Sequence, residues 1–264
     1  MPVISVVMAA FNAENYIEDS INSILNQDFR NIELIICDDA STDLTWEKIK
    51  KAMQKDNRIV GIKNASNLKA AATRNKCIDI AKGDYIAIQD SDDISEPNRL
   101  TKQLCFLEKN TEVSFVSTAM YLFDQHGKWN STKPVHFPMK HDFLKGTPFA
   151  HGPTLFRIGA MMKVSGYRVA KETQRGQDAD LFMRLYSKGH VGANITQELY
   201  GYRVDEKALG RRSFKYRYHG VLNRYVNFKE MGLMPLGYFF MFKPIVGWFV
   251  PQKLLYKIRK KLNE

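Results

Sequence analysis

Carboxylates are concentrated at the end of one short apolar run in this 264-residue chain. Asp90, Asp92 and Asp93, with Ser91 among them, directly follow the predicted buried strand Tyr85–Gln89. Carboxylates this close raise one another's pKa, and a bound cation relieves the repulsion. Mg²⁺ or Mn²⁺ typically binds one or two carboxylates together with phosphate oxygens. The cluster therefore predicts a metal–diphosphate site, with a solvated acidic turn as the alternative.

The elements that must position this cluster alternate regularly along the first half of the chain. The predicted strands are Ile4–Ala9, Ile32–Cys37, Ile59–Ile62 and Tyr85–Gln89, and the helices Ile17–Leu25, Leu44–Gln54, Ala70–Ala81 and Pro97–Lys109 follow them in turn. We expect Ser95 to cap the last of these helices. Four successive β–α units predict a parallel, doubly wound α/β sheet. Farther on, we expect a hairpin turn at 124–127, a helix over Gln177–Lys188, and two short strands, Val191–Thr196 and Tyr200–Val204.

Polar side chains also follow the first two predicted strands. Ligands of open parallel sheets bind at the carboxyl ends of the strands, so residues 10–12 and Asp38-Asp39 should lie near the acidic cluster. A carboxylate there can accept the imide N–H of uracil, and Phe11 or Asn12 can line the same nucleotide pocket. The alternative for the Asp38-Asp39 pair is helix capping.

Several classes of protein are disfavoured because the sequence lacks their motifs. It has no Gly-x-Gly-x-x-Gly after the first strand and no Walker lysine motif, which counts against a dehydrogenase and a P-loop NTPase. A sugar-phosphate nucleotidyltransferase would also want a glycine-rich phosphate loop. The three cysteines match no zinc or redox spacing, and the six histidines show no metal-ligand spacing. Buried thiols in a reducing compartment are the favoured interpretation of the cysteines.

The net charge of +11 belongs to the last part of the chain. Residues 207–264 carry thirteen Lys and Arg against two acids, whereas residues 1–206 are neutral. Leu254, Leu255, Ile258 and Leu262 would share one face of a helix whose other face carries lysines. Such a basic amphipathic helix suits an anionic membrane surface, with packing on the domain as the alternative. A nucleic-acid-binding protein is the competing non-enzyme hypothesis.

Four segments carry a resemblance to a known family by their residues, order and spacing: Ser5–Asn12, Cys37–Asp43, Asn67–Asn75 and Gly83–Asp93. They resemble the family 2 glycosyltransferases, which are mostly bacterial enzymes of surface-polysaccharide assembly. The resemblance implies a GT-A fold, in which residues 1–120 bind the nucleotide sugar and residues 121–205 bind the acceptor, followed by a basic helical tail over residues 206–264. It implies inverting transfer from a nucleotide sugar, with a UDP-sugar as the expected donor, to a hydroxyl of a glycan or lipid-linked acceptor, with Mn²⁺ or Mg²⁺ as cofactor. Together with the basic tail, it predicts a cytoplasmic protein that is peripheral on the cytoplasmic face of the inner membrane.

The resemblance also assigns roles to individual residues. Asp92 is similar to the metal ligand of the Asp-x-Asp motif, and Asp178, in Gln177–Arg184, is similar to the general base. Asp180 is the alternative residue, which is otherwise explained as a first-turn carboxylate that the helix dipole favours. The donor-nucleotide residues implied are Ala10, Phe11, Asn12, Asp39, Asn67, Arg74, Asp90, Ser91 and Arg203. Lys69 and Thr73 depart from the family, which usually has glycine and alanine there. His151 lies in a loop that often borders the acceptor site in the family, and no role is assigned to it.

Overall fold

The four predicted β–α units form one half of a single curled sheet in a computed structural model of the chain, which describes residues 1–174, 176–204 and 214–246. The strands are β1 (Ile4–Ala10), β2 (Ile32–Asp38), β3 (Ile59–Lys63), β4 (Tyr85–Ile88), β5 (Ile94–Ser95), β6 (Val113–Asp124), β7 (Gly127–Ser131), β8 (Leu155–Arg157) and β9 (Val191–Arg203). They run in the order β3-β2-β1-β4-β8-β6-β9-β5, with β7 paired to β6. The parallel half, β3-β2-β1-β4, matches the prediction.

Helices cover both faces of this sheet. The helices are α1 (Ile17–Leu25), α2 (Thr45–Lys55), α3 (Lys69–Asp79), α4 (Arg99–Lys109), α5 (Asp142–Lys145), α6 (Ile158–Lys163), α7 (Gln177–Ser187), α8 (Phe214–Glu230), α9 (Gly237–Met241) and α10 (Lys243–Val246), with a 3-10 turn at Lys171–Thr173. Apolar residues of α1, α2 and α4 form one buried cluster with alternate strand residues such as Val6 and Leu34. Residues of α3 and α7 form a second cluster with Val7 and Ile35 on the opposite face. The doubly wound α/β architecture is therefore confirmed.

The second half of the sheet departs from simple β–α alternation. β8 is antiparallel to both β4 and β6, and it joins the two halves of the sheet. The twelve-residue strand β6 crosses the boundary predicted at residue 120, and its residues on both sides of that boundary pair with other strands. The predicted hairpin turn is confirmed as the connection between β6 and β7.

Two local predictions were wrong. The strands expected at Val191–Thr196 and Tyr200–Val204 are one continuous strand, β9, because it pairs with β6 along its length through several register shifts. Ser95 does not cap α4: it lies in β5, and its hydroxyl donates to the Gln89 side-chain oxygen over 2.6 Å. The residue before α4 is Asn98.

The described part of the basic tail packs on the domain. Phe228 and Met231 belong to the same buried cluster as α3 and α7, and α8 contacts α7. Residues 214–246 therefore contribute to the core of the domain. The predicted amphipathic helix around Leu254 and Leu262 lies outside the described residues. No helix in the described part of the chain is long and apolar enough to cross a bilayer.

Candidate active site

The carboxyl ends of β1, β2 and β4 meet at one edge of the sheet, as the sequence predicts. The parallel register sets Ala10 beside Asp38, and the Asp39 amide donates to the Ala10 carbonyl over 2.8 Å. Ala10 itself is buried, whereas Phe11 is 47% exposed at the mouth of this edge. The ring of Phe11 is thus accessible to a ligand.

Asn12 braces the loop that follows β2. Its side-chain oxygen accepts from the Thr42 backbone amide over 2.9 Å, and the Asn12 backbone amide donates to the Ser41 hydroxyl over 3.0 Å. Asn12 and Ala40 have φ angles of 49° and 60°, so both turns pass through the left-handed region that asparagine tolerates better than alanine. Asn12 therefore shapes this loop, which links the ends of β1 and β2.

Asp39 is buried and holds the segment that leads into α3. It accepts from the Asn64 side-chain amide over 2.8 Å and from the backbone amides of Leu68 and Lys69 over 2.8 and 2.9 Å. The Asn67 side-chain oxygen accepts from the same Lys69 amide over 3.2 Å. Asp39 is thus an organising carboxylate as well as a candidate for base recognition. Asn64 was missed because a lone polar residue after a short strand carries no distinctive sequence signal.

Lys69 shows why its position usually holds glycine in the resembling family. Its φ of 71° lies in the left-handed region, where a side chain costs about 1 kcal/mol that glycine avoids. The Lys69 amide donates to the Asp39 and Asn67 side chains, and these two hydrogen bonds keep the backbone in that region. Lys69 also lines a cavity of about 240 Å³ together with Gln177, immediately before Asp178. The side chain adds a positive charge to this cavity.

Arg74 is a buried cation between the two halves of the site. Its Nη2 donates to Asp90 over 2.6 Å, and its Nη1 lies 3.8 Å from Asp178 Oδ1. The guanidinium stands over the Tyr167 ring, 5.7 Å from the centroid. Burial alone would lower the pKa of Arg74, but Asp90, Tyr167 and Asp178 raise it above the ordinary value. Arg74 therefore stays charged and connects the acidic loop to α7.

The carboxylates of the acidic loop have different surroundings. Burial would raise the pKa of Asp90, but the Arg74 charge holds it below its usual range. Asp93 is fully buried, accepts the Arg203 amide over 2.8 Å, and has a raised pKa because of burial and the neighbouring carboxylates. Ser91 is half-buried between them.

Asp92 is the carboxylate that fits a metal ion. Asp92 is exposed at the cleft. Desolvation by the surrounding protein, and to a smaller extent the charge of Asp90, nevertheless raise the pKa of the Asp92 carboxyl to about 6. Within the described ranges it forms no ion pair, in contrast to Asp90 with Arg74. Those ranges contain no cluster of three His, Cys, Asp or Glu side chains that could hold a metal alone. One free carboxylate suits an ion that takes its other ligands from phosphates and water.

Arg203 is anchored against the same loop from β9. Its Nε donates to the Asp92 carbonyl over 2.8 Å, and its Nη2 lies 3.4 Å from Asp19. The guanidinium is sandwiched between the rings of Tyr16 and Phe123, each 4.6 Å from it. The structure thus brings Arg203 to the acidic loop, where its side chain is already held by protein contacts.

Asp178 and Asp180 occupy opposite environments on the first turn of α7. The Asp178 side chain is 41% exposed, and its Oδ1 lies 3.6 Å from His151 Nε2. The Asp180 side chain is fully buried and pairs with Arg168 over 2.5 Å and Arg184 over 2.7 Å. Asp178 therefore faces the cleft, and Asp180 belongs to the internal packing of α7.

Two aromatic groups beside Asp178 were not predicted as site residues. His151 Nε2 and the Tyr167 hydroxyl are 2.6 Å apart. Burial lowers the pKa of His151, and the Asp178 charge only partly opposes this. The signal for His151 was limited to its loop, and Tyr167 follows Gly166 without any motif. Their roles depend on contacts between segments far apart in sequence.

The comparisons with known proteins agree with this arrangement. Residues 5–168 match the family described as Glycosyl transferase family 2. The putative glycosyltransferase EpsE of Bacillus subtilis is 39% identical over 98% of this chain and 94% of its own length. The Escherichia coli protein WfaP, named UDP-Glc:alpha-D-GlcNAc-diphosphoundecaprenol beta-1,3-glucosyltransferase, is 33% identical over 81% of this chain and 82% of its own.

Solved structures show the same fold. Staphylococcus aureus TarS bound to UDP-GlcNAc superposes with a TM-score of 0.70 at 18% identity, over 85% of this chain and 66% of that one. The mannosyltransferase PcManGT of Pyrobaculum calidifontis, solved with GDP-Man and Mn²⁺, has a TM-score of 0.64 at 16% identity, over 99% of this chain and 80% of that one. The fold is therefore that of GT-A glycosyltransferases. The chain belongs to glycosyltransferase family 2, and it is a sugar-transferring enzyme.

Proposed function

We propose that this enzyme moves a sugar, with inversion, from a UDP-sugar to a hydroxyl of a lipid-linked glycan in cell-surface polysaccharide assembly. The observation that carries the proposal is the exposed Asp178 carboxylate, which faces Arg74 while Arg74 pairs with Asp90 of the acidic loop. A candidate base and a candidate metal loop thus share one cleft. The relatives support the donor and acceptor classes, because WfaP is named for UDP-Glc and a diphosphoundecaprenol acceptor.

The donor would occupy the edge formed by residues 1–120. Phe11 is open to stack on or border a base, and Asp39 retains acceptor capacity on Oδ2, which takes one backbone hydrogen bond. Asn12, Asn67 and Ser91 would contact the nucleotide or hold the loops that do. Arg203 would approach the diphosphate from β9. The acceptor would enter across residues 121–205, where Asp178 and His151 lie.

The reaction would be a one-step displacement. The acceptor hydroxyl oxygen attacks the anomeric carbon, the bond from that carbon to the UDP oxygen breaks, and the hydroxyl proton passes to Asp178. General-base assistance contributes about 10²–10⁴-fold to such a step. Arg74 would hold the positive charge between the two halves of the site. Attack from the face opposite the leaving group inverts the anomeric configuration.

Asp92 would hold the divalent ion, with the donor diphosphate supplying further oxygen ligands. A bound Mn²⁺ or Mg²⁺ would neutralise negative charge on the departing nucleoside diphosphate. Asp90 would serve as the partner of Arg74 in this arrangement, because its carboxylate is already engaged.

Replacing Asp92 with alanine tests the metal assignment. We expect kcat/KM to fall by about 10²-fold or more, because the charge neutralisation by the ion is worth several kcal/mol. In calorimetry, Mn²⁺ should tighten UDP binding to the wild type and leave UDP binding to the variant unchanged. Asp79→Ala, an exposed carboxylate at the end of α3, is the matched control. Mn²⁺-dependent UDP binding that survives in Asp92→Ala would contradict the assignment.

We also propose that the enzyme works at the cytoplasmic face of the inner membrane. Residues 207–264 carry a net positive charge. The described part of this tail also has exposed apolar and aromatic side chains, namely Leu236, Tyr238, Phe239 and Phe242, and Phe239 is 83% exposed. Aromatic side chains near lysines suit the lipid interface.

Sedimentation with vesicles tests the membrane proposal. Phe239→Ser should reduce binding to phosphatidylglycerol vesicles by several-fold, because less apolar surface enters the interface. Phe137→Ser, a 50% exposed phenylalanine elsewhere on the chain, should leave vesicle binding unaffected. Equal losses in both variants, or none in either, would contradict the proposed surface.

A further inference from the structure

A second cavity borders the start of α7, where α8 packs against this helix. It has a volume of about 390 Å³ and is bounded by α5, α7, α8 and α10. Its walls include Gly176 and Ala179 at the start of α7 and Phe143 and Met183 deeper in the domain. Asp178 lies between Gly176 and Ala179 in the sequence, but its side chain is near Arg74 and His151 on the cleft side. The cavity and the candidate base therefore share one helical turn.

The cavity is strongly cationic. Lys145, Arg217, Arg224 and Lys243 line it, and none of the described lining residues is acidic. Arg217 is only 8% exposed, and burial lowers the pKa of Arg224. Arg224 packs over Phe228 at 5.7 Å and donates to the Leu144 carbonyl over 3.5 Å. Four cationic side chains around one cavity create a positive potential there, which attracts an anion.

The backbone at the start of α7 also borders the cavity, while the two carboxylates of its first turn are engaged elsewhere, Asp178 towards Arg74 and Asp180 with Arg168 and Arg184. Gly176 directly precedes this eleven-residue helix, and the first-turn amides of a helix carry a partial positive charge. Asn223 of α8 reaches the same point, where its side-chain amide donates to the Gly176 carbonyl over 3.4 Å. The helix start, a polar amide and the four cations thus surround the same space. Anions with several oxygens fit such surroundings best.

We propose that this cavity binds the diphosphate of a lipid-linked acceptor, and this inference rests on the proposed function. Asp178 and the wall residue Ala179 are consecutive on α7, and an α-helix is about 10–12 Å across with its side chains, so the near wall of the cavity and the Asp178 carboxylate lie within about one helix diameter of each other. A glycan whose reducing-end diphosphate enters the cavity can pass the start of α7 and present a hydroxyl to Asp178. The exposed aromatic residues of α9 lie next in the chain to α10, where a lipid chain would leave the cavity.

Direct binding tests the cavity without requiring turnover. Geranyl diphosphate is titrated into the full chain while UDP and Mg²⁺ saturate the donor site, and the affinity is measured by calorimetry. We expect Lys145→Gln combined with Lys243→Gln to weaken this binding about tenfold or more, because two charged contacts are lost. Both lysines are exposed, so the variant should fold. Lys229→Gln, an exposed lysine on α8 outside the cavity wall, is the matched control.

The same titration distinguishes the source of the anion. Tighter binding of geranyl diphosphate than of inorganic pyrophosphate would support a lipid-linked ligand, and equal affinities would overturn it. Unchanged binding in the double lysine variant would overturn the cavity assignment, even if UDP release is normal. Conversely, a chain that binds geranyl diphosphate through these lysines but releases UDP from no sugar donor would contradict the proposed function and support the cavity.

Discussion

Asp178→Asn should reduce kcat by about 10²–10⁴-fold while the affinity for UDP stays close to that of the wild type. Asparagine has nearly the same shape as aspartate, but it cannot take a proton from the acceptor hydroxyl. The Asp178 carboxylate is 41% exposed and lies on the acceptor side of Arg74, whose closer contact with Asp90 remains in the variant. Steady-state kinetics and UDP calorimetry on the same preparation would measure both quantities.

The outcome of this substitution separates a base from a structural residue. A loss of UDP affinity equal to the loss of kcat/KM would mean that Asp178 organises the donor site through Arg74. Full turnover in Asp178→Asn would contradict its assignment as the base. His151→Gln is a useful companion, because His151 lies 3.6 Å from Asp178 and should affect activity far less if it only positions the carboxylate.

Asp180→Asn should act on stability instead. Asp180 is fully buried and pairs with Arg168 and Arg184, and the Asn227 side-chain amide donates to it over 3.0 Å. Removing one partner from a buried charge network commonly costs about 3–5 kcal/mol, because the remaining charges are left uncompensated. The Arg168 side chain is 30% exposed, so solvent should moderate the cost, and we expect the lower end of this range. Urea unfolding of wild type and variant measures the difference.

Activity of the folded Asp180→Asn protein provides the second readout. At low temperature, where the variant is still folded, turnover should be retained within about tenfold of the wild type. Asp79→Asn is the control for an exposed carboxylate and should not change the free energy of unfolding measurably. A stable but inactive Asp180→Asn protein would contradict the division of roles between Asp178 and Asp180.

The first half of the fold was predictable because its elements are locally encoded. The apolar run of β1 and the helical spacing of Ile17, Ile21 and Ile24 each indicate an element without reference to the rest of the chain. Once β1, β2 and β4 are parallel neighbours, the convergence of Asp39 and Asp90 at one edge follows from geometry alone.

The remainder depends on contacts that a local pattern does not record. β8 contains three residues, and its antiparallel position between β4 and β6 arises from pairing across long stretches of sequence. β9 was divided in two because its exposed middle residues interrupt the apolar pattern, although its pairing with β6 stops only at Thr196 and Gln197 and resumes at Glu198 after a register shift. Long-range pairing decides both features.

The site shows the same division between local and distant information. The acidic loop and Asp178 were found from their motifs, but the hydrogen bond between His151 and Tyr167 joins separate loops.

Arg99 is a similar case: it is fully buried, and it donates to the Ile88 and Gly152 carbonyls over 3.0 and 3.2 Å. Burial lowers its pKa to about 10. It ties the end of β4 to the His151 loop, a role that no spacing in the sequence indicates.

UDP release from a panel of UDP-sugars, with Mn²⁺ or with EDTA, tests the central claim most directly. We predict that at least one UDP-sugar is consumed in the presence of Mn²⁺, that EDTA abolishes the release, and that Asp92→Ala lowers it by about 10²-fold or more. The sugar that supports release identifies the donor. Absence of UDP release across the panel, together with no calorimetric binding of UDP, would contradict the roles proposed for Asp39 and Asp92 in a UDP-sugar site.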